Sequence, residues 1–97
     1  MNIFVMQIDL RASWVHSLKE KRMVTKSLIS KLKNKFNVSV GEVSNQDIHQ
    51  ILSIGITGLG ASNSQLDSIM ENIIEFIYEN TDAQIIKICK ETDVYKF

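Results

Sequence analysis

Two histidines and one cysteine are the side chains of this sequence best suited to bind a transition metal, and they are widely separated. His16, His49 and Cys89 show no paired-ligand spacing, and no CxxC or HExxH motif occurs. A single cysteine also excludes an intramolecular disulfide, which suits a reducing compartment. We therefore expect no bound metal and no other cofactor.

Acid–base catalysis would need carboxylates or other titratable groups that converge in space. Asp9, Glu42 and Asp47 are the carboxylates that could converge, but nothing in their spacing pairs them. The segment between Arg11 and Ser17 carries neither the phosphate-cradling arginine loop of acylphosphatases nor the paired-cysteine loop of copper chaperones. The sequence thus shows no catalytic constellation, and we expect a protein that is not an enzyme.

Positive charge is concentrated in one segment. Residues 17–36 contain seven basic residues and one acidic residue, a net charge of +6, whereas the rest of the chain has four basic and ten acidic residues, a net charge of −6. At roughly 100° per helical residue, four of the basic side chains form one stripe: Lys19, Arg22, Lys26 and Lys33. A straight basic stripe suits the phosphate oxygens of RNA, so we predict that it binds RNA.

The alternative is that this stripe is an ordinary solvated helix face. The second predicted helix carries an acidic stripe at intervals of four residues, which could pair with the basic one: Asp67, Glu71, Glu75 and Glu79. Lys21 is set apart from the stripe, because its helical angle lies between those of Leu28 and Leu32 on the apolar side. Its place in the first turn predicts that the amine extends to solvent.

Trp14 lies in the connection between the first strand and the first helix. A loop tryptophan can stack on a nucleic-acid base, and we include Trp14 in the predicted RNA-binding set. The other interpretation is that it covers one end of the core. An RNA recognition motif is not indicated, because Phe4 falls on the face assigned to the core and residues 50–60 contain no aromatic side chain.

Alternating and helical apolar patterns predict the elements that position these residues. Ser17 and Glu20 have the spacing of a capping box, in which each side chain binds a free amide of the first helical turn. The predicted elements are a strand at 2–11, a helix at 17–36, strands at 38–43 and 50–60, a helix from about 61 to 80, and a strand at 84–92.

The order βαββαβ predicts one α+β domain spanning residues 1–97, a ferredoxin-like sandwich. Its four-stranded antiparallel sheet has both helices on one face, and right-handed crossovers place the first and third strands in the centre. Ile86 and Ile88 are predicted to point inward. The other face is open, of mixed polarity, and available to bind a partner: Ile3, Val5, Gln7, Ser39, Ser53, Thr57, Ile85, Lys87 and Cys89.

Two sequence blocks resemble the YlxP-like family of small bacterial proteins. They are Ser-Leu-Lys-Glu-Lys-Arg at 17–22 and Phe-Asn-Val-Ser-Val-Gly-Glu-Val at 36–43, followed by Gln46 and Asp47. The resemblance spans essentially the whole chain. It implies a ferredoxin-like domain of unknown function, often encoded near translation initiation factor two and ribosome-binding factor A. Where many family members have a tryptophan soon after the aspartate, this chain has His49.

The resemblance and the charge pattern favour the same function. We expect a non-catalytic accessory protein that binds ribosomal RNA or ribosomal particles in translation or ribosome maturation. The alternative is an interaction or homodimerisation module that uses the open sheet face or an edge strand. No apolar run approaches the roughly 20 residues that cross a bilayer, and the apolar start lacks a basic leader, so we expect a cytoplasmic protein without a membrane partner.

Overall fold

The computed structural model describes residues 1–97 and has the predicted order of elements. The six elements are β1 (Asn2–Arg11), α1 (Leu18–Lys35), β2 (Ser39–Ser44), β3 (Ile51–Gly60), α2 (Asn63–Asn80) and β4 (Gln84–Val94). β1 has the predicted bounds, and the bounds of the other elements differ from the predicted ones by at most two residues. Neither helix combines the length and the apolar character that a membrane span requires.

One antiparallel sheet with the strand order β2-β3-β1-β4 forms the base of the molecule. β1 pairs with β3 on one side and β4 on the other, so that Met6 lies opposite both Ile56 and Lys90. The hairpin between β2 and β3 leaves β2 at one edge, and the crossover through α2 places β4 at the other. The predicted ferredoxin-like α+β fold is confirmed.

Both helices begin at a serine that accepts a backbone hydrogen bond. The hydroxyl of Ser17 accepts from the N–H of Glu20 at 3.2 Å, and that of Ser62 accepts from the N–H of Gln65 at 3.2 Å. Each bond satisfies one of the free amides of a first helical turn. The carboxylate of Glu20 accepts no hydrogen bond from the N–H of Ser17, so only the serine half of the predicted capping box is formed.

The core lies between the helices and one face of the sheet. Alternate residues of β1 are buried there, from Phe4 to Leu10, because successive side chains of a strand point to opposite faces. α1 and α2 cover them with one apolar stripe each. The fully buried apolar side chains include Phe4, Ile8, Leu10, Leu32, Leu52, Ile54, Leu66, Ile73 and Ile77.

β4 departs from the sequence prediction at its start. A bulge shifts its register between Asp9 and Leu10 of β1, so that Leu10 lies opposite Ile85 and Asp9 opposite Lys87. Ile85 therefore faces the helix layer, where it is half-buried, and its predicted place on the open face is wrong. The inward prediction also fails for Ile86, which the bulge leaves 45% exposed. A bulge adds one residue without altering local apolar content, so sequence alternation does not reveal it.

Candidate nucleic-acid interface

The predicted RNA-binding cations lie together on one flank of α1. Lys19, Arg22, Lys26 and Lys33 are all exposed. The opposite flank faces α2, where Lys31 donates a hydrogen bond to the carbonyl of Asn80 at 3.4 Å. At roughly 100° per residue the centre of the four cations lies about 150° around the helix from Lys31. We call this set, Lys19, Arg22, Lys26 and Lys33, the basic flank.

The acidic stripe of α2 does not neutralise the basic flank. The structure contains one ion pair with nitrogen and oxygen within 4.0 Å, and it joins Lys21 to Glu42. Glu75 and Glu79 instead line a groove of about 250 Å³ with Lys35, on the other side of α1. Six basic side chains of α1 remain exposed beside one exposed acid, Glu20.

Trp14 lies in the loop between β1 and α1, which leads into the helix that carries the basic flank. Gln50 fixes this loop: its carbonyl accepts from the N–H of Ala12 at 2.8 Å, and its side-chain amide donates to the carbonyls of Ser13 and Val15, each at 3.2 Å. Ala12 and Val15 are fully buried and close this end of the core. Trp14 itself keeps 43% of its surface exposed, which leaves it able to contact a ligand.

Lys21 does not extend to solvent, and that prediction is wrong. Its side chain is 1% exposed, its amine lies 3.0 Å from Oε2 of Glu42, and it donates a hydrogen bond to the carbonyl of Asn45. Oε2 of Glu42 is shielded from solvent and makes no hydrogen bond of good geometry, so its contact with Lys21 is chiefly one of charge. The turn after β2 covers the first turn of α1, which is why the amine is enclosed.

Asn45 connects this ion pair to the sheet. It has a φ of 57°, in the left-handed region that asparagine tolerates better than most residues. Its side-chain amide donates to the hydroxyl of Ser53 at 2.7 Å, and its carbonyl also accepts from the N–H of Ile48 at 3.1 Å. Ser53, which alternates with core residues and was predicted on the open face, is fully buried beneath this contact.

The Lys21–Glu42 pair brings together the two sequence blocks that carry the family resemblance. Lys21 belongs to the first block and Glu42 to the second, and sequence reasoning did not join them. The sequence indicated part of this contact, because it placed Lys21 on the apolar side of the helix. A lysine in that position needs a buried partner if its amine cannot reach water. What could not be read was the pairing of β2 with β3, which sets Glu42 opposite Ile54, and the turn at Asn45 that encloses the amine of Lys21.

The remaining candidate residues stay apart. Asp9 accepts a hydrogen bond from Gln7 at 3.2 Å on the open face, whereas Glu42 faces the helices and Asp47 lies in an exposed turn. His16, His49 and Cys89 are each exposed, and no group of three or more histidine, cysteine or acidic residues has an arrangement that could hold a metal.

Two depressions accompany the second sequence block. One, of about 580 Å³, lies between the end of α1 and the start of α2 and is walled by residues 36–39 of that block. The other, of about 460 Å³, lies on the open sheet face, where Gly41 and Gly55 oppose each other between Val5 and Val43. Both are of mixed polarity, and Lys35 is the one charged residue that lines either of them.

Comparison with known proteins identifies the family. A family model described as "Protein of unknown function (DUF503)" matches residues 3–89. The chain is also 41% identical over 61 residues to the uncharacterized protein YlxP of Bacillus subtilis (strain 168), a match that covers 63% of this chain and 66% of the relative. This chain belongs to the DUF503 family, and the resemblance to YlxP-like proteins is confirmed. The match spans just under two thirds of the relative's length.

A solved structure shares the fold. The de novo designed protein Foldit4 aligns over 98% of both chains with a TM-score of 0.50 and 12% sequence identity. At that identity the likeness concerns the fold alone, and function has to be sought in the residues of this chain.

Proposed function

We propose that this protein is a non-catalytic accessory protein that binds ribosomal RNA through the basic flank of α1, and acts in translation or ribosome maturation. The observation that carries the proposal is the alignment of four exposed cations on one side of one helix. From Lys19 to Lys33 the flank is about 21 Å long, at 1.5 Å per helical residue. Phosphate contacts of this kind supply most of the affinity of sequence-independent nucleic-acid binding.

The charge distribution predicts that binding uses this flank and no other large surface. α1 carries the positive excess, and the remainder of the chain has a net charge of −6. A negative surface repels phosphate, so the rest of the molecule orients the RNA toward α1 and keeps the affinity moderate. Trp14 supports the same placement, because this half-exposed aromatic side chain lies in the loop that leads into α1.

Co-sedimentation with ribosomal subunits tests the proposal. We predict that the wild-type protein sediments with subunits at low salt and is released at moderate salt, and that Lys26→Glu with Lys33→Glu weakens this binding without abolishing it. The matched control is Lys31→Glu with Lys35→Glu, which changes the net charge by the same amount on the α2-facing side of the same helix. If the two double variants bind alike, the flank is a solvated surface and the proposal is wrong.

Trp14 is tested separately, because stacking and phosphate contacts respond differently to salt. We predict that Trp14→Ala weakens RNA binding by about 1–3 kcal/mol, the typical effect of removing an aromatic platform for a base. The salt dependence of binding should stay unchanged, since no phosphate contact is removed. Titration of a fluorescently labelled RNA fragment at several salt concentrations measures the affinity and its salt dependence. An unchanged affinity would exclude stacking on Trp14.

A further inference from the structure

β4 is a long edge strand that lacks a neighbour on its outer side. It has 11 residues, all exposed except Ile85, and contains no proline. β2, the other edge, is shorter at six residues and is interrupted by a register shift between Glu42 and Ser44. β4 also has a bulge near its start, but it is regular over the eight residues from Lys87 to Val94. Long regular edges pair readily with another strand, whereas short and bulged edges resist it.

The hydrogen-bonding groups free on the outer side of β4 can be identified from its pairing with β1. Met1 and Tyr95 exchange two backbone hydrogen bonds, at 2.7 and 2.8 Å, so every second residue back from Tyr95 directs its N–H and carbonyl toward β1. Between the bulge and Tyr95, the alternate residues direct their backbone N–H and carbonyl groups outward, away from β1. These are Ile88, Lys90, Thr92 and Val94.

The face of β4 on the helix side is also open. Ile88 is 38% exposed although its cross-strand neighbour Ile8 is fully buried, so the helix layer ends over β1. Ile86 is 45% exposed, and Tyr78 at the end of α2 is 62% exposed. A partner strand added to β4 would therefore gain backbone hydrogen bonds and cover apolar side chains at the same time.

The charges along β4 are ordered: Lys87 and Lys90 precede Glu91 and Asp93. An antiparallel copy of the same strand reverses this order, so each half of β4 meets its opposite charge. If the two copies are related by a two-fold axis perpendicular to the sheet, the helix-covered faces of both copies lie on the same side of the joined sheet. Such an axis passes beside one residue of β4, which then lies opposite the same residue of the second copy. Charge then selects among the possible registers.

We propose that the protein forms a homodimer in which β4 pairs antiparallel with β4 of a second copy, with the two-fold axis at Cys89. This register places Lys87 of each copy opposite Glu91 of the other, twice by symmetry. An axis at Lys87 or Glu91 would set like charges against each other, and an axis at Thr92 would set Glu91 opposite Asp93. An axis at Lys90 would pair Lys87 with Asp93 but would set the two Lys90 side chains directly against each other. An axis at Ile88 leaves Lys87 opposite Cys89, with no charge pair.

The same register brings the two Cys89 side chains together. Cys89 directs its own backbone groups toward β1, so the Cys89 pair is a non-hydrogen-bonded pair, with a Cα separation of about 4.5 Å. That distance is within the range of disulfides, whose Cα atoms lie about 4.4–6.8 Å apart. The dimer does not depend on the disulfide, but formation of a disulfide between the two Cys89 side chains would indicate this register.

Sedimentation equilibrium in reducing buffer tests the dimer without any RNA present. We expect a concentration-dependent dimer in the wild type, and Glu91→Lys to weaken it roughly tenfold to a hundredfold, because two attractive cross-strand pairs become repulsive. Adding Lys87→Glu should restore dimerisation. Within one chain Glu91 lies opposite the uncharged Val5, so reversing the charge of Glu91 leaves the monomer intact. Lys87 lies opposite Asp9, so circular dichroism is used to verify that the double variant is folded.

Mild oxidation tests the register on the wild-type sequence. We expect rapid formation of a disulfide-linked dimer through Cys89. Cys89→Ser combined with Asp93→Cys is the matched control, because Asp93 forms no charge pair in this register and the two residues at position 93 are eight positions out of alignment, about 26 Å apart. A monomer at all concentrations, a dimer whose affinity is unaffected by Glu91→Lys, or equal cross-linking at positions 89 and 93 would overturn the proposal.

Discussion

At the scale of single residues, the Lys21–Glu42 pair is the contact that holds the two family sequence blocks together. A buried pair of this kind contributes little over an apolar pair of the same shape, but the loss of one partner is costly. Removing the amine of Lys21 would leave the carboxylate of Glu42, 20% exposed, without a counter-charge.

We therefore predict that Lys21→Met destabilises the domain by about 3 kcal/mol. This is the lower end of the range for buried pairs, because the side chain of Glu42 remains 20% exposed to solvent. Lys21→Met combined with Glu42→Leu should recover most of this loss. Urea denaturation of the wild type and the two variants measures both values. A double variant no more stable than Lys21→Met alone would mean that Lys21 acts through packing and not through its charge.

Two glycines of the sheet provide a matched pair of substitutions. A Cβ at Gly58 would lie 2.7 Å from Cε1 of Phe4, whereas a Cβ at Gly41 would have no atom within 4 Å. Neither glycine has a positive φ. We predict that Gly58→Ala costs about 1–3 kcal/mol through overpacking of the core, and that Gly41→Ala is neutral or stabilising by up to about 1 kcal/mol. Thermal melts compare them, and equal effects would contradict this account.

At the scale of elements, the start of α1 depends on one side chain of the capping box. We predict that Ser17→Ala lowers the free energy of unfolding by about 0.5–2 kcal/mol, the usual loss for an N-cap serine. Glu20→Ala should cost much less, because Glu20 makes no hydrogen bond to the backbone of Ser17. Denaturant midpoints at constant slope give both values. Equal losses would show that the reciprocal bond forms in solution.

The elements themselves could be predicted because their periodicity is local. Alternation in β1 and the apolar stripes of both helices depend only on neighbouring residues, and all six elements were placed to within one or two residues. Contacts between distant segments could not be read in this way. The bulge in β4 reversed the assignment of Ile85, and the turn at Asn45 enclosed Lys21, because each depends on how two strands meet.

At the scale of the whole molecule, the sequence could predict which residues form the basic flank but not what surrounds it. Lys19 and Arg22 share a helical flank by spacing alone. That α2 covers the other flank, and that Gln50 holds the loop of Trp14, are consequences of the tertiary fold. The negative remainder of the chain then gives the molecule one positive side.

The salt dependence of RNA binding tests the central claim most directly, because each neutralised phosphate releases condensed counterion. For the wild type, four contacts predict a slope of log affinity against log salt of roughly −3 to −4. Lys26→Glu with Lys33→Glu should flatten the slope to about half, while Lys31→Glu with Lys35→Glu should leave it unchanged. A wild-type slope near zero, or equal slopes for the two double variants, would contradict RNA binding by the basic flank.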